Sequence, residues 1–172
     1  GLVKPDGLAF GGTEQQPLVL LNPFAGGLTG VQGTSFASPL ALRAAAAARA
    51  VAATNLSATT LRALMIHRAE RTDAHDPLEV GWGRFPESPE ELLTCGNDEV
   101  TVIYQGHIEA GGTMRIGIPI PSLPIGVDLF IKATFCFASP VDPADPINYT
   151  RHGLTVVFRP RGEGSSSPFF SP

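Results

Sequence analysis

The sequence predicts an α/β first half followed by a small antiparallel β lobe, and two changes of pattern carry that expectation. Glycine-punctuated loops around one short apolar run give way to an alanine-dominated helical stretch, and after Cys95 the apolar residues take up the alternation of strands. With 172 residues, 43% of them hydrophobic, the chain can bury a core as one medium domain or two small lobes. The composition divides it into an α/β part over 1–94, a β-sandwich or jelly-roll-like lobe over 95–160, and a tail over 161–172.

Glycines 7, 11, 12, 26, 27, 30 and 33 surround the apolar run Pro17 to Leu21, which reads as one strand among loops. From Ser35 to Ala53 alanine dominates, giving the highest helix propensity available, and small side chains on all sides suit close packing all round. Arg43 and Arg49 send one stripe to water. Ser57 is placed to cap a second helix over 58–69, with Leu61, Leu64, Met65 and Arg68 on one side. Residues 73–91, rich in proline, glycine and charge, read as a connecting segment.

Four strands are predicted thereafter, over 100–105, 113–120, 127–137 and 154–159, with Leu129, Ile131, Ala133, Phe135 and Phe137 alternating on one face. The Gly, Ser and Pro of 161–172 leave little to bury and predict a disordered tail.

A formal net charge of −4 with scattered Lys and Arg leaves no basic stripe, so neither nucleic acid nor an anionic membrane surface is an expected partner. No apolar run reaches membrane-spanning length, and the opening residues lack the regions of a signal peptide. A cytoplasmic setting is expected. Cys95 and Cys136 form no Cys-x-x-Cys pair and have no histidine at ligand spacing, which favours free thiols over zinc or a disulfide. No cofactor is expected.

The segment that carries chemistry is Gly33-Thr34-Ser35-Phe36-Ala37-Ser38-Pro39. A nucleophilic serine needs an exposed hydroxyl, a base within reach and donors for the oxyanion. Gly33 permits a tight entry turn, and Ser35 at the start of the alanine-rich helix stands where free helix-terminal N–H groups point. Pro39 has no N–H to give the Ser35 carbonyl, which loosens the first turn beside the nucleophile.

Those seven residues resemble the nucleophile motif of the subtilase family, Gly-Thr-Ser-x-Ala-x-Pro at the start of a buried helix, at every fixed position. Lys4-Pro5-Asp6-Gly7-Leu8-Ala9-Phe10-Gly11-Gly12 resembles the Lys-Pro-Asp-x-x-Ala-x-Gly segment upstream of it, and Gly81-Trp82-Gly83 is similar to a Gly-x-Gly turn that follows in those enzymes. The resemblance runs from Lys4 to about Pro86 and implies a serine endopeptidase. Ser35 is then the nucleophile and a backbone oxyanion donor, protein or peptide is the substrate, and the fold is the C-terminal part of a subtilisin-like α/β core.

In that family the acid, the base and the oxyanion asparagine all precede the serine at greater distance. No histidine precedes Ser35, and Asn22 lies too near it for the asparagine's role. The resemblance therefore implies a C-terminal portion, inactive alone, whose partners come from a missing N-terminal segment, from a separate chain or from nowhere; an isolated chain is expected to leave sheet edge and core exposed. Combined with Asp145-Pro146-Ile147-Asn148-Tyr149-Thr150, the motifs also resemble bacterial intracellular subtilisin-like peptidases encoded beside AAA-type ATPases, which makes such an ATPase an expected partner.

Rival readings are weaker. A hydrolase order of Ser35, Asp128 and His152 fails because that fold wants glycine where Ala37 stands. His67 suits packing or the surface, and His75 between Asp73 and Asp76 suits a solvated turn. The polar stretch 141–151 has no EF-hand spacing, and proline-broken turns account for it without calcium. The alternative of another class is a non-catalytic interaction or structural module derived from a protease.

Overall fold

A computed structural model describes residues 4–120, 126, 128–147, 149–150 and 152–159, together with the backbone of 167–168. The chain forms two compact units, one of 1–107 with 115–136 and one of 108–114 with 137–172.

In the first unit, strands β1 (Leu18–Asn22) and β2 (Gly27–Val31) form an antiparallel hairpin in register from Leu18 opposite Val31 to Asn22 opposite Gly27. Asn22 explains the turn. Its Oδ1 accepts the amides of Phe24 and Ala25 at 3.0 and 3.1 Å, its carbonyl accepts the Gly26 amide at 3.0 Å, and Gly26 takes the φ of 66° that closes the loop. Val19, Leu20, Leu21 and Leu28 are all exposed, so this ribbon covers little apolar surface itself.

Helix α1 (Thr34–Val51) is the alanine-rich stretch, and α2 (Ala58–His67) follows. Ser57 caps α2 as expected, its Oγ accepting the Thr60 amide at 3.1 Å. Two short helices lie inside 73–91 and its margin, where the sequence reads as a connection: α3 (Pro77–Val80) behind Asp76, and α4 (Pro89–Leu93) behind Ser88. Both begin with proline at the first helical position, where its missing N–H costs nothing.

The core lies where α1, α2 and α4 meet. Ala44, Ala45 and Ala48 of α1 face Leu64 and Met65 of α2, Leu56 before it, and Leu92 of α4, which is 0% exposed. Each fully buried Leu or Met contributes about 1.5–3 kcal/mol as an upper figure. Ala48, also 0% exposed, lets the helices approach closely. Close packing on all sides of α1 is not found. Leu42 and Val51 are 69% and 66% exposed, because within this unit only one face of the helix meets other elements.

Segments distant in sequence are joined by backbone bridges. Leu8 pairs in parallel with Arg84, and Arg84 pairs antiparallel with Glu70. Gln105 reaches back to the start of α2: its Oε1 accepts from the Ser57 amide (3.1 Å) and Thr60 Oγ1 (2.9 Å), and its Nε2 donates to the Asn55 carbonyl (2.8 Å).

Of the strands expected after Cys95, the described residues show a ladder only at β3 (Val157–Phe158), paired antiparallel with β4 (Ser167–Pro168) in the second unit. The stretches 100–105 and 113–120, and the described part of 127–137, alternate in sequence without forming hydrogen-bonded strands. Alternation supplies a face, and a strand also needs a partner in register. Apart from Ser167–Pro168, the predicted disordered tail lies outside the described residues.

Candidate active site at the start of helix α1

Gly33 is the residue from which α1 starts, with φ 142° and ψ 159°, a conformation open to glycine alone. No side chain caps the helix, so its first N–H groups are left to other acceptors. The Gly33 carbonyl accepts the amides of Phe36 (3.0 Å) and Ala37 (3.3 Å). Thr34 and Ser35 are both exposed, which places the Ser35 hydroxyl and backbone N–H at the open, electropositive end of an 18-residue helix. One turn on, Ser38 Oγ donates to the Thr34 carbonyl at 3.2 Å, while Pro39 within the helix leaves the Ser35 carbonyl without its usual donor.

The glycine pair before the hairpin holds this start. The Gly33 amide donates to the Gly11 carbonyl at 2.8 Å. Gly12, at φ 85°, lies against the Val31 carbonyl and the Leu18 amide at the hairpin's open end. Upstream, Leu8 donates to Gly83 O and its carbonyl accepts from Phe85, both at 2.8 Å, and the Trp82 amide donates to Asp6 O at 3.0 Å. The Lys-Pro-Asp and Gly-Trp-Gly segments are thus one backbone assembly. Asp6 pairs with Lys4 at 2.7 Å and Arg62 at 3.2 Å; the Lys4 bond chiefly, with help from Arg62, holds its carboxyl below the usual range.

The histidines are placed as the sequence suggests. His67 is half-buried at the end of α2, its Nδ1 3.0 Å from Thr134 Oγ1 and its carbonyl accepting Lys132 Nζ at 2.6 Å. Burial first, then Lys132 and Arg68, push its pKa down. It lines a cavity of about 290 Å³ with Arg68, Glu70, Arg84, Glu91 and Lys132, to which Ser35 does not contribute. His75 sits in a turn with its Nδ1 2.8 Å from Thr72 Oγ1. Asp128 falls in the first unit and His152 in the second.

Cys95 and Cys136 are free; burial pushes the Cys136 thiol up. In the second unit Asp142 and Asp145 accept the amides of Ala144 and Ile147 at 3.0 and 3.2 Å, the arrangement of Asp-initiated turns. Residues 148 and 151 of that stretch lie outside the described residues. Among the described residues no three His, Cys, Asp or Glu side chains gather as metal ligands, and no helix is long and apolar enough to cross a membrane.

Sequence reasoning missed Gln105, Gly11 and Gly12 as organisers of the two helix starts. The glycine pair was its own signal, since adjacent glycines mark close backbone approach.

Residues 2–83, just under half the chain, match the model of the subtilase family, a family of serine peptidases and hence hydrolases. The matched stretch takes in the hairpin, α1, α2, Ser35 and both glycine-rich segments joined to them. No curated protein and no solved structure gave a match.

Proposed function

With the subtilase match over residues 2–83 as premise, we propose that this protein is a serine-type endopeptidase in which Ser35 is the nucleophile. The observation that carries the reading is the exposed Ser35 at the uncapped start of α1, inside the matched segment. Its Oγ attacks the scissile carbonyl carbon and yields its proton to a base. The amide C–N bond breaks as the leaving amine takes that proton, and water releases the acyl group. The Ser35 backbone N–H, reinforced by the helix terminus, donates to the oxyanion.

The base and its orienting acid come from outside this chain, in an N-terminal catalytic segment. Supporting this, His67 is engaged with Thr134 and lines a cavity to which Ser35 does not contribute. The apolar residues left exposed on α1 and the hairpin suit cover by that segment. Residues 1–94 then form the C-terminal part of a subtilisin-like catalytic domain. Residues 95–160 then brace that domain or present peptide substrate. A cytoplasmic location and an AAA-type ATPase partner, as in the bacterial intracellular subgroup, complete the reading.

The test uses the full-length protein that contains this chain. A fluorophosphonate probe should label the wild type, and Ser35→Ala should abolish labelling and lower kcat by about 10⁶-fold, the scale of removing such a nucleophile. Undiminished labelling of Ser35→Ala overturns the assignment. A second reading is a non-catalytic interaction or structural module derived from a protease. It is established instead if the natural protein holds no Asp and His upstream and neither labels nor cleaves peptides.

A further inference from the structure

We propose that Gly11 is a positioning residue for the Ser35 nucleophile, its carbonyl and its missing side chain together fixing the angle at which α1 begins. This rests on the reading of Ser35 given above. A helix start is ordinarily set by a capping side chain, and α1 has none. Its place is taken by the 2.8 Å bond from the Gly33 amide to the Gly11 carbonyl. Through that bond Gly11 anchors Gly33 on its N–H side, and on its other side the Gly33 carbonyl accepts the amides of Phe36 and Ala37, the two residues that follow Ser35.

The approach is as close as backbone allows. A Cβ on Gly11 would stand 2.7 Å from the Gly33 carbonyl oxygen and 3.2 Å from Ala37 Cβ, so any side chain there tilts the first turn or breaks the bond. Gly11 cannot retreat to make room. On one side Leu8 is bonded to Gly83 and Phe85, and on the other Gly12 abuts the Val31 carbonyl and Leu18 amide. A displacement at Gly11 is therefore delivered to Gly33 and, two residues on, to the Oγ and N–H of Ser35. Misplacement of a reacting group by about 1 Å costs on the order of 10²-fold in rate.

The experiment compares acylation of the full-length wild type, Gly11→Ala and Ser35→Ala by a fluorophosphonate probe, recording rate and final amplitude separately. Gly11→Ala should label to full amplitude roughly 10- to 100-fold more slowly, with KM for a peptide substrate changed less than about twofold and kcat carrying the loss. Gly27→Ala, where an added Cβ meets open space, should match the wild type. A loss in amplitude at unchanged rate means that Gly11 serves folding only, and an unchanged rate means that the bond to Gly33 does not place the serine; either overturns the proposal. Should Gly11→Ala fail to fold, glycolate at position 33, which removes the amide donor and adds no atom, must slow acylation in the same sense or the proposal fails. If Ser35→Ala labels like the wild type, the reading of the serine falls and the proposal with it. If Ser35→Ala is silent and Gly11→Ala is unimpaired, only the proposal falls.

Discussion

The amide of Leu8 donates to the carbonyl of Gly83 at 2.8 Å, and this bond ties the first glycine-rich segment to the last residue of the subtilase match. Gly83 is required there by shape. At φ 107° a side chain is strained, and a Cβ would run into the Glu70 carbonyl. Gly83→Ala should cost about 2–4 kcal/mol, read as a lowered melting temperature.

Gln105→Ala should destabilise by about 1–3 kcal/mol, because it removes three hydrogen bonds at the start of α2 and strands the buried Thr60 hydroxyl with Ser57 alone. Urea denaturation checks it. An unchanged midpoint would mean that water replaces Gln105 without loss.

His67 predicts an acid-side weakness. Its folded pKa lies below the ordinary histidine value of 6.5, so as pH falls through that value the unfolded chain takes up a proton that the folded chain resists. Its contribution is complete above pH 6.5 and is lost as pH falls toward the lowered folded value. Melting temperatures of wild type and His67→Gln, compared from pH 7.5 to 5, should converge as the pH drops; parallel curves would rule the effect out.

Asp6 acts in a lower window. Its folded pKa is depressed below 3.8, so its stabilisation is present above that value and is lost as pH falls through the folded one. Asp6 and both partners are well exposed, so the effect is small and screened by salt. Asp6→Asn should flatten the acid limb of the stability profile slightly at low ionic strength and not at high.

What the sequence made legible was local. The alanine-rich helix was expected over 35–53 and found at Thr34–Val51, and Ser57 was expected as the cap of α2 and is. The strand expected at 17–21 is β1, but β2 reads as loop in the sequence, since Gly27 and Gly30 carry no strand preference and the pairing comes from the Asn22 turn. Helices α3 and α4 had signals in Asp76-Pro77 and Ser88-Pro89, which the surrounding charge and proline obscured. Gln105 was illegible because one amide can reach a distant helix end from any surface loop. The motif around Ser35 is visible in the sequence; the exposure of Ser35 and the bond from Gly33 to Gly11 required the fold.

The Gln105 clamp also sets an order of events on the ribosome. Residues 58–67 are synthesised before the residue that completes their first turn has been joined to the chain, so α2 begins life with its Ser57 cap alone. The α2 start matures only when Gln105 arrives, after the whole matched segment has been made. A nascent chain halted before position 105 should hold α2 frayed at its N-terminal end.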